Sequence, residues 1–166
     1  QKPVVLSCND VDATLLCEHE DELRGLCYIE GGAAGRNINR YRNKDEGERL
    51  AVKCGLQIPK TELLQAPDEL SSISIKYPLF LKANNSCHGD KQAMQKCDTR
   101  ESVETFVSTL PSDFFPLQVQ EFVKKEYEIM LQGCSLYGGK KVIIPVANRK
   151  LRQYPANTGG AVFRFR

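Results

Sequence analysis

Three segments hold residues whose types and spacing could do chemistry. The first is Arg42–Asn43–Lys44–Asp45, basic residues at the mouth of a helical pattern. The second is Tyr77–Pro78–Leu79–Phe80–Leu81–Lys82, followed over residues 84–91 by a small, polar stretch with one glycine. The third is Leu117–Gln118–Val119–Gln120–Glu121–Phe122–Val123, followed by Glu126–Tyr127–Glu128–Ile129. These residue types suit a nucleoside triphosphate. A lysine delivered by a rigid strand is a cation in a defined place. A loop of small residues lets backbone N–H groups approach phosphate oxygens. An apolar strand running into a hinge offers adenine one donor and one acceptor from its backbone, and a carboxylate a few residues on can accept from ribose hydroxyls. Neither G-x-x-x-x-G-K-[ST] nor G-x-G-x-x-G occurs, so the two common glycine-rich phosphate turns find no support.

Other reactive types read more plainly. Cys87 and His88 lie in the small-residue stretch, but the chain has only two histidines and no second ligand at metal spacing, so a surface loop is expected. Asp10 and Asp12 lie after a strand-like run, where open sheets bind ligands, yet they also suit a helix start. Arg149 and Arg152 could reach a carboxylate or a phosphate, or simply face water from an alternating strand. Lys44 with Arg42 could solvate a helix start, and Lys82 could be an ordinary strand-end lysine. Gln120 and Glu121 could face solvent on an edge strand, and Glu126 and Glu128 could form a charged face opposite Tyr127 and Ile129.

The elements that must position these residues follow from periodicity. Residues 3–8 read as a buried strand, 13–18 as a helix behind the capping side chains of residues 9–12, and 20–23 as a second helical turn. Residues 31–35 are a glycine-rich break, and a polar stretch over 36–43 leads out of it. Residues 44–54 carry Leu50, Ala51 and Cys54 at helical spacing, with Gly55 as the cap. Residues 56–64 are strand-like, with Pro59 pushing them to a sheet edge. A turn over 71–74 precedes the strand ending at Lys82. Residues 93–97 are a return strand, and 99–110 a helix with Val103, Phe106, Val107 and Leu110 on one face. Strands are expected over 117–123, 127–136 and 141–146, with a hairpin at 137–140. The tail 148–166 alternates around a turn at Thr158–Gly159–Gly160.

Composition fits a folded α/β or α+β chain. Of 166 residues, 41% are hydrophobic and 27% charged, with 23 Lys+Arg against 21 Asp+Glu, so charge gives no reason to expect nucleic acid or a membrane surface. No apolar run approaches the roughly 20 residues that span a bilayer. Seven scattered cysteines form no C-x-x-C pair, which argues against a disulfide framework and for a reducing, cytoplasmic setting.

Lys82 with its small-residue loop, then Val119–Gln120–Glu121–Phe122–Val123 and Glu126–Tyr127, resembles the ATP-grasp superfamily. So do the lead-in from Arg49 to Thr61, with its G-x-x-x-P-x-T entry, and the tail Arg149–Lys150–Leu151–Arg152–Gln153–Tyr154–Pro155 with Thr158–Gly159–Gly160, which is similar to the carboxylate–amine ligase branch. The resemblance covers roughly residues 3–163. It implies a partial ATP-grasp fold: residues 1–43 closing a Rossmann-like preceding domain, 44–123 the N-terminal subdomain, and 124–166 the start of the C-terminal one. It implies Lys44 and Lys82 on the phosphates, Gln120 and Glu121 beside the adenine amino group, Val123 offering its backbone, and Glu126 on the ribose with Glu128 as runner-up. The loop 84–91 would close over the phosphates.

The activity implied is an ATP-dependent ligase that joins a carboxylate to an amine through an acylphosphate, with Mg2+ bridging the phosphates. Its partners are a small-molecule carboxylate and amine, and a homodimer is compatible with it. A carboxylase or carbamoyl-type member and a non-catalytic nucleotide-binding domain are the alternatives. No residue here matches the family's acidic metal ligand or its Glu-x-Asn pair, which are expected beyond Arg166. The last residues read as mid-strand, so a piece of a larger protein, inactive alone, is expected.

Overall fold

The computed structural model describes residues 1–30, 37–88, 94–137, 140–154 and 160–165. The chain divides into two compact units, Gln1–Phe122 and Val123–Arg166.

The first unit opens with β1 (Val4–Val5), which pairs in parallel with β2 (Tyr28–Ile29). Helices α1 (Asp10–Glu18) and α2 (Glu20–Leu23) lie between them. Asn9 caps α1 as its residue type demands, its side-chain oxygen accepting from the Asp12 amide at 2.8 Å. Residues 3–8 are expected to form a buried strand, but only two residues pair and Val4 is exposed. A pair this short has no second layer to bury it.

Two further helices follow, α3 (Asn37–Tyr41) and α4 (Lys44–Lys53). The polar residues 36–43 hide the first of these from a periodicity argument. Gly55 follows α4 at φ +80°, the left-handed conformation that only glycine adopts without strain. The expected apolar face of α4 stays in solvent: none of its residues is buried, and Leu50 and Cys54 are exposed. The glycine break at 31–35 lies outside the described residues.

The core of this unit is a sheet in the order β3-β6-β4-β5, antiparallel throughout. Its strands are β3 (Thr61–Leu64), β4 (Leu79–Ala83), β5 (Met94–Cys97) and β6 (Leu117–Glu121). β3 is an edge strand, as Pro59 requires, and shorter than the expected 56–64. Helix α5 (Arg100–Thr109) starts at Thr99 and Ser102, which satisfy each other's backbone amides in a capping box. It lays Val103, Phe106 and Val107 on Leu64, Leu79, Leu81, Cys97, Leu117 and Val119, all buried. A 3₁₀ turn over Pro67–Ser72, in place of the expected turn at 71–74, closes the side of this cluster with Leu70.

The second unit is the antiparallel meander β7 (Glu128–Leu136), β8 (Lys141–Tyr154) and β9 (Gly160–Phe165). β8 runs well past the expected Val146. Between Gln132 and Cys134 the register shifts at Gly133, where a Cβ would fall 2.2 Å from the Ile143 carbonyl oxygen, so the bulge accepts no side chain. Most of the expected hairpin at 137–140 and the Thr158–Gly159 turn lie outside the described residues.

Core burial gives a first expectation. Leu81→Ala, at a fully buried position, is expected to cost about 2–5 kcal/mol. Leu50→Ala, on the exposed face of α4, should change stability by less than about 0.5 kcal/mol. Chemical denaturation of the two variants checks the contrast, and equal losses would refute the assignment of the core to the α5 side of the sheet.

Candidate functional site

Alternation along the strands gives the four-stranded sheet two unlike faces. Residues directly opposite in antiparallel strands share a face. Gln118 stands opposite Leu63 and Lys82, Gln120 opposite Thr61 and Phe80, while Met94 and Lys96 on β5 stand opposite Lys82 and Phe80. The face away from α5 therefore carries Thr61, Lys82, Lys96, Gln118 and Gln120. Leu63, Phe80 and Met94 share this face, so polar groups stand among apolar ones on a surface whose other side packs Leu64, Leu79, Leu81, Cys97, Leu117 and Val119 with α5.

A clasp between two segments brings Lys44 to this face. Asn84 holds the start of α4 through three bonds and is itself anchored by a fourth. Its amide nitrogen donates to Asp45 Oδ1 at 2.8 Å, and its side-chain oxygen accepts from the Asp45 backbone at 3.1 Å. Its carbonyl accepts from the Lys44 amide at 2.9 Å, and its own amide donates to the Pro116 carbonyl at 3.0 Å. Asn43 pairs with Asn85 as an isolated bridge, and the Ser86 amide donates to the Arg42 carbonyl at 3.0 Å. The Lys44 ammonium then reaches back to the end of β4, donating to the Ala83 carbonyl at 2.7 Å and to that of Asn84 at 3.5 Å.

Glu48, one helical turn beyond Lys44, shares its helix face and joins the clasp to the sheet. Its Oε1 accepts from Gln120 Nε2 at 2.6 Å and lies 3.7 Å from Lys82 Nζ. Gln120 Nε2 also donates to Thr61 Oγ1 at 2.7 Å, so two acceptors hold the amide nitrogen. Burial pushes the Lys82 amine below its usual range, and Glu48 opposes that shift by charge and hydrogen bonding. Burial also lowers Lys44, and the neighbouring Lys82 cation lowers it further; Asp10, Cys87 and Glu48 oppose this. Two half-buried lysines close enough to repel each other are a place where an anion is stabilised.

The sequence-predicted residues divide accordingly. Lys44, Lys82 and Gln120 come together, and β6 is an interior strand, so the solvent-facing reading of Gln120 fails: it is only 6% exposed. The Glu121 side chain belongs to the opposite face, where it accepts from the Lys60 amide at 2.9 Å, so only its backbone remains available beside Gln120. Val123, Glu126 and Glu128 belong to the second unit. There Glu128 is held by Lys125 and Lys150, whose hydrogen bonds pull its carboxyl below the usual range, while Glu126 and Val123 are exposed. Arg149 lies over the Tyr127 ring at 4.9 Å, and Arg152 is exposed. Asp12 accepts from the Asn9 side chain at the start of α1, the helix-start reading. Cys87 lies 3.6 Å from Thr14 Oγ1, and the His88 side chain lies outside the described residues.

Two residues of the face escaped sequence reasoning. Glu48 was signalled by its i+4 spacing from Lys44, and Gln118 by its alternation with Gln120. Gln118 is fully buried, and both its amide atoms lack partners among the described residues. No group of three or more His, Cys, Asp or Glu among the described residues is placed to hold a metal, and no helix among them is long and apolar enough to cross a membrane.

This sheet, with a helix on one face and two lysines on the other, followed by an antiparallel meander, is part of the ATP-grasp fold. Carboxyaminoimidazole ribonucleotide synthase from Aspergillus clavatus, complexed with ATP, matches 91% of this chain with 38% of its own at a TM-score of 0.67 and 15% identity. D-alanyl-alanine synthetase A from Vibrio cholerae matches 89% with 44% of its own, at TM-score 0.61 and 15% identity. L-amino acid ligase from Bacillus licheniformis matches 94% with 39% of its own, at TM-score 0.55 and 15% identity. The chain thus spans about two fifths of the length of the structures it matches, and identities this low speak for the fold. No family model and no curated protein matches the sequence.

Glu48 sets a second expectation. It raises the Lys82 pKa against burial, so Glu48→Gln should let the Lys82 amine titrate at lower pH than in the wild type. NMR titration of the lysine side chains reads this directly, and an unchanged Lys82 would remove Glu48 from the site.

Proposed function

We propose that this chain is the ATP-binding portion of an ATP-dependent ligase that joins a carboxylate to an amine. In this reading residues 1–43 close a preceding domain, 44–123 form the N-terminal ATP-grasp subdomain, and 124–166 begin the C-terminal one. The observation that carries it is the meeting of Lys44 and Lys82, both partly desolvated, beside Gln120 on the polar face of an ATP-grasp sheet.

The chemistry asked of such a site is positioning and charge neutralisation. A carboxylate oxygen attacks the terminal phosphorus and ADP leaves with the bond electrons; an amine then attacks the acyl carbon and inorganic phosphate leaves. No enzyme nucleophile is needed. Lys82 and Lys44 hold the phosphate oxygens, and a bound polyphosphate offsets both their burial and their mutual repulsion. Lys82 exchanges its Glu48 contact for phosphate without leaving the strand end. Gln120 and the backbone of Glu121 are read as the adenine end of the site. The magnesium ion that the resemblance implies finds no ligand cluster among the described residues, so no step is drawn through it.

A second reading is a carboxylating ligase, in which bicarbonate is the acid phosphorylated. It is favoured by the likeness to N5-carboxyaminoimidazole synthase from Aspergillus clavatus in complex with ADP and 5-aminoimidazole ribonucleotide.

Calorimetric titration of nucleotides tests the site. Lys82→Ala should weaken ATP binding by about 1.5–3 kcal/mol, roughly ten- to hundredfold, the worth of a hydrogen bond to a charged group. Lys60→Ala, whose side chain is exposed, should bind ATP as the wild type does. GTP, which presents an acceptor where adenine has its amino group, should bind at least about tenfold more weakly. Wild-type affinity in Lys82→Ala would overturn the placement of the triphosphate, and equal affinity for GTP would overturn the adenine contacts.

A further inference from the structure

Arg42 carries a positive charge where the described residues supply no negative one. Only 6% of its surface is exposed. Arg24, Arg40, Arg49 and Arg100 are all solvent-exposed and each is ion-paired to a carboxylate. Arg42 makes no such pair: its Nη1 donates to Cys87 Sγ at 3.7 Å, and its Nη2 is buried with no partner. A guanidinium cannot shed its charge as a buried lysine can. Leaving such a charge buried and uncompensated is strongly destabilising, so the site is one that an anion would complete.

The surroundings indicate which anion. Arg42 stands two residues before Lys44 in the clasp, and its carbonyl is bound by Ser86 in the loop that follows Lys82. Gln120 binds Glu48, Glu48 lies 3.7 Å from Lys82, and Lys82 is near enough to Lys44 to lower its pKa. Cys87, which acts on Lys44, then leads to Arg42 at the end of the series. Arg42, Lys44 and Lys82 are thus joined by these neighbours, and among the described residues the carboxylates acting on the two lysines are Glu48 and Asp10. The Cys87 sulfur engages Nη1, and Nη2 is buried with no partner among the described residues.

We propose that Arg42 is a third phosphate-binding cation of this site, its guanidinium donating to an oxygen of the phosphate farthest from the base. This rests on the nucleotide reading above, with the base at the Gln120 end. A planar fork on the terminal phosphate would make the cleft selective for polyphosphates over nucleoside monophosphates.

The experiment titrates the full chain, wild type and Arg42→Gln, with ATP, AMP and sodium tripolyphosphate, and records ligand-free thermal melts. Arg42→Gln should bind ATP and tripolyphosphate roughly ten- to hundredfold more weakly and AMP within about twofold of wild type. Its ligand-free Tm should rise, because an uncompensated buried charge has been removed; an arginine with a merely structural role would give a fall. Wild-type affinity for ATP and tripolyphosphate in Arg42→Gln overturns this proposal and leaves the nucleotide reading standing. Tripolyphosphate binding that depends on Arg42, without any binding of ATP or AMP, keeps the anion cleft and sinks the nucleotide reading. Binding of none of the three by the wild type sinks both. Should Arg42→Gln fail to fold, Arg42→Lys keeps the charge but loses the fork, and is expected to bind tripolyphosphate about three- to tenfold more weakly; unchanged affinity there also overturns the proposal.

Discussion

Successive residues of an extended chain point to opposite sides of a sheet, and at Leu117–Gln118–Val119–Gln120 that constraint decides the rest of the first unit. Leu117 and Val119 must meet α5, so Gln118 and Gln120 must face away from it. Because β6 is hydrogen-bonded to β3 on one side and β4 on the other, the same parity is imposed on Thr61 and Lys82. A slip of one residue would drive two glutamines and a lysine into the apolar cluster and expose its leucines. Core and site are thus the two sides of one hydrogen-bonded ladder.

The clasp between residues 42–45 and 83–86 adds what the sheet alone cannot. It ties a helix start to a strand end, so one cation comes from each and neither depends on a long unsupported loop. Asn84 is central because a single side chain satisfies both the first turn of α4 and the Asp45 carboxylate, while its backbone binds Pro116 and Lys44. The cost is electrostatic. Lys44 and Lys82 depress each other's comfort in a half-buried place, and Glu48 balances only part of that.

Much of this was legible in residue types. The helix over Arg100–Thr109, the strands flanking Lys82, the strand at β6 and the edge role after Pro59 follow from periodicity and capping. Lys44, Lys82 and Gln120 were named before any coordinates, and they do converge. What failed had physical reasons. The short strand near Val4 looked buried because apolar residues signal burial only when a second layer exists to receive them. The apolar positions of α4 suggested packing that the structure does not supply. α3 was hidden by polar residues, and the separation of Glu121 from Gln120 follows from strand alternation once the strand is known to be interior. Glu48 escapes sequence reasoning, and Arg42 reads there as solvating a helix start, because their importance comes from tertiary neighbours and no spacing reveals a guanidinium buried without a counter-charge among the described residues.

The two-faced sheet also bears on how such a chain can diverge. Leu79, Leu81, Leu117 and Val119 are restrained by the volume available against α5, while Lys82 and Gln120 answer to charge and hydrogen bonding. Substitutions at Gln118 or Gln120 can therefore retune what the cleft accepts while leaving the packing at Leu117 and Val119 in place. Drift in ligand preference and conservation of the scaffold can proceed along the same strand, one residue apart.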